Sequence, residues 1–145
     1  GRLCNCGKKG CLETESSSKG IVRNYAELSG KSVECEEDCE SLFVYQLAKK
    51  GDQNAKKAFE RAGHYLGIGI STLVNILNPE KVYIAGGVAY GWEFLKDAVE
   101  KSYNENIFYA NNETKIEISP IGDYITALGA ATFAFEKYIK EEIIA

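Results

Sequence analysis

Three cysteines lie within eight residues near the start of this chain, Cys4, Cys6 and Cys11, with Gly7 and Gly10 set among them. No other stretch constrains the fold as strongly. A loop this short can aim several thiolates at one point, because glycine supplies the left-handed turns that bring backbone amides close to sulfur. Zinc takes four ligands in a tetrahedron, usually cysteine and histidine. The stretch offers three, so a fourth has to come from elsewhere. A reactive or disulfide-bonded cysteine cluster is the alternative that spacing leaves open.

Composition narrows the class. The chain has 145 residues, of which 45% are hydrophobic and 26% charged, as in a soluble globular domain. A formal net charge of −4 and the lack of a basic block give no nucleic-acid footprint. The longest apolar run, Leu66 to Leu77, is broken by Ser71, Thr72 and Asn75 and is too short to span a bilayer. No cationic and apolar leader opens the chain. Five cysteines, three of them grouped as a ligand set, suit metal binding in a reducing cytoplasm better than a secreted disulfide framework.

Patterning gives the order of elements. Thr14 to Ser18 is rich in capping residues, and Ile21, Tyr25 and Leu28 form a helical stripe that Gly30 closes. Residues 31–40 form an acidic connector whose Cys35 and Cys39 read as ordinary cysteines. A short helix runs from Ser41 to near Gly51. Asp52 then caps a long helix over 53–77, with Phe59, Ala62, Leu66, Ile70, Leu73 and Leu77 on one face. Gly63 and Gly67, one turn apart, mark the close approach of another backbone, since glycine inside a helix costs about 1 kcal/mol against alanine. His64 beside them reads as structural. Asn78-Pro79 ends the helix.

Val82 to Ala85 is apolar on both alternating faces, which predicts a parallel strand covered on both sides. A helix from about Trp92 to Tyr103 follows, with Leu95, Ala98 and Val99 inward. Lys115 to Ser119 alternates, so a second strand has one wet face and lies near an edge. A last helix, capped by Asp123, turns Ile125, Leu128, Phe135 and Ile139 inward. The order reads as a right-handed βαβ unit plus one helix.

The segment from Cys4 to Glu13 reads C-x-C-G-x-x-G-C-L-E, and it resembles the signature of the ROK family of repressors, open reading frames and kinases. Further pieces follow that family's order. They are Gly51-Asp52 with Ala55, Tyr65-Leu66-Gly67, Leu77-Asn78-Pro79-Glu80-Lys81-Val82 leading into Gly86-Gly87-Val88, and Ala127-Leu128-Gly129-Ala130-Ala131. The resemblance covers the back half of a ROK protein. It implies an α/β fold, the C-terminal part of a ribonuclease-H-like (actin-like ATPase) domain, helix-rich with few strands because of truncation. Residues 1–145 are then one C-terminal domain piece, made of a zinc-binding loop (1–13), the connector (31–40) and a strand-helix-strand-helix core (81–141).

The same resemblance assigns roles. Cys4, Cys6 and Cys11 hold a structural zinc, whose fourth ligand, a histidine upstream of the first cysteine, has no match in this chain. Glu13 takes sugar hydroxyls, against the alternative of a helix N-terminal acid. Gly86 and Gly87, at a strand's carboxyl end, form the adenosine side of an ATP site, against the alternative of a simple strand-to-helix turn. Gly129 reads as a packing residue. The implied activity is that of a glucokinase-like hexose kinase using ATP with Mg, acting on a hexose or amino-hexose as a cytoplasmic homodimer. The alternative is the sugar-sensing domain of a repressor, and a third reading is a zinc-dependent interaction module in which Cys4, Cys6 and Cys11 serve structure alone. The family's catalytic aspartate is not matched in this chain, so alone it is expected to be inactive.

Overall fold

The computed structural model of the chain describes residues 1–32, 40–111 and 113–142. Cys35 and Cys39 lie outside the described residues, as does most of the acidic connector. A small loop (residues 2–10) leads into α1 (Glu13–Ser16) and α2 (Ser18–Ser29), followed by α3 (Glu40–Lys49) and α4 (Gln53–Leu77). Then come β1 (Lys81–Ile84), a 3-10 turn over Gly87–Gly91, α5 (Trp92–Asn106), β2 (Lys115–Ile118) and α6 (Ile125–Glu142).

Local chemistry sets these bounds. Ser17 caps α2 by accepting the Gly20 N–H at 3.1 Å, and Gly30 closes it in the left-handed region at φ 69°. Asp52 accepts the N–H groups of Asn54 and Ala55 at 2.8 and 2.9 Å, fixing the start of α4. Asn78 ends it at φ 44°, a left-handed position that asparagine tolerates better than most residues.

The core sits between α4 and its neighbours. Ile21 and Tyr25 of α2, Val44 and Ala48 of α3, and Leu95, Val99 and Tyr103 of α5 bury against Ala55, Ala58, Phe59, Ala62, Ile70 and Val74. The glycine pair does what its spacing implied. A Cβ at Gly63 would lie 2.7 Å from the Leu95 carbonyl oxygen, and one at Gly67 would lie 2.6 Å from that of Val99. Helix α5 therefore crosses α4 at backbone contact. Along the last turns of α4 the inner face differs from the expected stripe. Leu73 and Leu77 point outward, 55% and 69% exposed, while Val74 and Ser71 are buried. The shift follows α5, whose backbone runs along the glycine ridge and draws the buried face to positions 67, 70, 71 and 74.

Strands β1 and β2 pair in parallel, Val82 opposite Ile116 and Ile84 opposite Ile118, with α5 as the crossover. Val82, Ile84 and Ile116 pack on the core. The other face carries Lys81, Tyr83 and Glu117, with a 3.1 Å Lys81–Glu117 ion pair and the Lys81 ammonium 5.8 Å from the Tyr83 ring centroid. β1 was expected to be covered on both sides, yet Tyr83 is 47% exposed. Helix α6 likewise departs from expectation. Leu128 and Phe135 of its supposed inner stripe are exposed, and a Cβ at Gly129 would meet nothing within 4 Å, so that glycine serves no packing among the described residues. A 3-10 turn over Gly122–Tyr124 precedes α6, so Asp123 lies in that turn rather than at the helix cap. Among the described residues, no helix is long and apolar enough to cross a membrane.

Candidate functional site

The cysteine loop is a miniature hairpin. The Cys4 N–H donates to the Lys8 carbonyl at 2.8 Å and the Gly10 N–H to that of Arg2 at 2.9 Å, while Leu3 and Lys9 form an antiparallel bridge. Gly7 at φ 84° and Gly10 at φ 75° make the reversals that a side chain would resist. The Thr14 hydroxyl donates to the Cys11 carbonyl at 2.7 Å and so ties the loop to the first turn of α1.

This arrangement brings Cys4, Cys6 and Cys11 together, with all three sulfurs within 4.8 Å of one another. The Cys6 and Cys11 sulfurs are 3.6 Å apart, far beyond an S–S bond of about 2.05 Å. Zinc–sulfur bonds of about 2.3 Å in a tetrahedron place ligand sulfurs about 3.8 Å apart. The three thiols fit such an ion, and among the described residues the group has no fourth member. His64 is exposed on α4 against Tyr65 and takes no part.

The thiols differ electrostatically. The Cys6 N–H pulls the Cys4 thiol down. The Glu13 carboxylate, burial and the two neighbouring thiols outweigh it together and push Cys4 up to about 11. The Lys8 N–H, followed by the Cys11 and Cys4 thiols, lowers Cys6. Glu13 opens α1, as the helix-acid alternative required, and its Oε2 accepts from the Cys4 Sγ at 3.2 Å. A metal on the thiolates and a ligand on Glu13 would thus be neighbours. The depression beside Cys4 and Glu13 has room for about 20 Å³, roughly one water.

Gly86 and Gly87 leave the carboxyl end of β1. Gly86 has φ 76° and ψ −170°, a conformation open essentially to glycine alone. A Cβ at Gly87 would sit 3.3 Å from the Ser18 hydroxyl of α2. Beside this turn lies a cavity of about 410 Å³, walled by Ile21, Leu42, Tyr45, Phe59, Gly87 and Tyr90. Sequence reasoning found the glycines but not this cavity, whose walls come from four separate segments. Helix α2 stands between the two groups, bearing Ser18 toward Gly87 at its first residue and following directly on α1, which Glu13 opens.

The profile of the ROK family matches residues 1–137. The chain belongs to the ROK family. The DNA-binding transcriptional dual regulator NagC of Escherichia coli is 29% identical over 90% of this chain and 33% of its own length. A glucokinase of Halalkalibacterium halodurans is 33% identical over 71% of this chain and 34% of its own. The crystal structure of a ROK family glucokinase from Streptomyces griseus in complex with glucose and AMPPNP superposes with a TM-score of 0.77 at 23% identity, covering 92% of this chain and 47% of that one. The fold is therefore that of the ROK sugar kinases, of the actin-like ATPase class, with two parallel strands and many helices among the described residues. The chain spans about a third of the length of these curated relatives, which include both kinases and repressors.

Proposed function

We propose that this ROK chain contributes the adenosine side of the ATP site and one wall of the sugar site to a glucokinase-like hexose kinase. In that reaction the γ-phosphoryl of Mg-bound ATP passes to a sugar hydroxyl and ADP leaves. The observation that carries the reading is the apolar cavity of about 410 Å³ beside the Gly86–Gly87 turn. A flat, largely apolar base suits a slot walled by Tyr45, Phe59, Tyr90 and Leu42. Glycine at the mouth lets sugar or phosphate oxygens approach the backbone. On the other side of α2, Glu13 is held by Cys4 and by the start of α1. Its carboxylate is placed to accept hydrogen bonds from hexose or amino-hexose hydroxyls, as charge-assisted bonds that fix orientation. Zinc on Cys4, Cys6 and Cys11 would keep the loop rigid and takes no part in the chemistry. A cytoplasmic homodimer belongs to the same proposal.

The repressor reading is favoured by one finding, that NagC matches over nine-tenths of the chain. In it the same Glu13 wall binds sugar and no ATP is used. Titration of a fluorescent ATP analogue into the full-length protein carrying this sequence separates the two. Saturable binding is expected, with ADP released when a hexose is added. Gly87→Val should weaken the nucleotide at least tenfold while the helical circular dichroism stays unchanged, because its methyl groups crowd both Ser18 and the cavity mouth. Sugar binding without nucleotide binding would decide for the repressor.

A further inference from the structure

Besides Thr14 and Glu13, the cysteine loop is fastened to the helices by Arg2, a side chain that the family signature does not contain. Arg2, with only 15% of its side chain exposed, donates from Nη1 to the Asn24 Oδ1 at 2.9 Å and to the Thr14 carbonyl at 3.3 Å. The same nitrogen lies 2.9 Å from Glu15 Oε2, and Nη2 reaches Glu27. Asn24 is fully buried and donates in turn to the carbonyls of Glu15, at 3.2 Å, and Ala58, at 3.5 Å, so the chain of contacts runs from the loop through α1 and α2 into α4. Arg61 of α4 closes it from the far side, 3.1 Å from Glu27 and 3.9 Å from Glu15. The Arg2 carbonyl meanwhile accepts the Gly10 N–H, so the residue that grips the helices also closes the base of the hairpin. A planar guanidinium can serve several acceptors in fixed directions at once, which lysine cannot.

We propose that Arg2 is a positioning residue: it clamps the cysteine loop onto α1, α2 and α4, so that Cys4 and Glu13 hold their places whether or not a metal is bound. Preorganisation of this kind raises metal affinity, because less chain has to be ordered on binding. The inference rests on the proposed function only through the role of Glu13. Its test reads the loop directly and stands if the kinase reading falls.

Hydrogen exchange is measured on the full chain after treatment with a chelator. Slow exchange is expected at the Cys4 and Gly10 amides of the native chain. In Arg2→Gln both should exchange at least tenfold faster while α4 and α5 keep their protection. Cobalt(II) titration, followed by its thiolate charge-transfer band, should show at least tenfold weaker binding for Arg2→Gln and partial recovery for Arg2→Lys. Glu27→Gln removes one arm of the clamp from an exposed position, so it keeps the fold if Arg2→Gln does not, and it should loosen the same two amides to a smaller extent. Arg61→Gln, which never touches the loop, should leave them unchanged. Loop amides as slow in Arg2→Gln and Glu27→Gln as in the native chain would overturn the proposal. So would a loss of protection spread evenly over α2, α4 and the loop, which would make Arg2 a general stabiliser. A native chain that binds no cobalt refutes the metal reading and leaves the exchange result to decide on the clamp.

Discussion

Glu13 serves two neighbours. Its first-turn position on α1 would by itself make it an ordinary helix acid, while its contact with the Cys4 sulfur ties it to the loop. The two roles separate on substitution. Glu13→Gln in the full-length protein should lower hexose affinity by about 1.5–3 kcal/mol, roughly ten- to over a hundredfold, with little change for ATP. Calorimetric titration of both ligands checks this, and equal weakening of the two would return Glu13 to the role of a helix acid. The three loop cysteines could be grouped from sequence because spacing and glycines are local signals. Arg2 could not. Its partners Asn24 and Glu27 lie far along the chain, and no periodicity marks a residue whose importance comes from what folds back onto it.

Between the described elements, the most extensive contact is that of α4 with α5. Gly67→Val would thrust a branched side chain against the Val99 carbonyl, 2.6 Å from where its Cβ must sit, and against Ser102. Overpacking of this kind costs about 1–3 kcal/mol. A lower thermal midpoint is expected, with a smaller drop for Gly67→Ala, and an unchanged midpoint in both would refute the contact. The bounds of α4 were readable because Asp52 and Asn78 act within their own turns. Its last buried turn was not. Leu73 and Val74 are equally apolar, and only the path of α5 decides between them. For α6 the apolar stripe was legible, but whether anything covers it is a long-range fact that periodicity does not carry.

At the scale of the molecule, α3 and α5 are joined across the cavity wall by Glu93. The Tyr45 hydroxyl donates to it at 2.9 Å and the Lys49 ammonium at 3.3 Å. The Tyr45 hydrogen bond first, and the Lys49 hydrogen bond second, hold the Glu93 carboxyl below its ordinary range. A depressed acid contributes stability that is complete above the unfolded value and is lost as pH falls through the folded one. Glu93→Gln should therefore be less stable than the native chain at neutral pH, with the gap closing below about pH 4. Urea midpoints across that range check it, and a gap independent of pH would contradict it. The groups are half exposed, so the effect should be small and should shrink further in salt.

The parallel pairing of β1 with β2 has a consequence for the order of assembly. The two strands cannot meet through a tight turn, because the whole of α5 lies between them. Their register needs α5 folded back between them, and α5 packs on the glycine ridge of α4. The helical pair is thus the natural nucleus and the sheet a late arrival, since non-local pairing has to wait for the closing of its loop. A side chain at Gly67 then obstructs the first committed step, and its penalty should fall mainly on the rate of folding and hardly on the rate of unfolding.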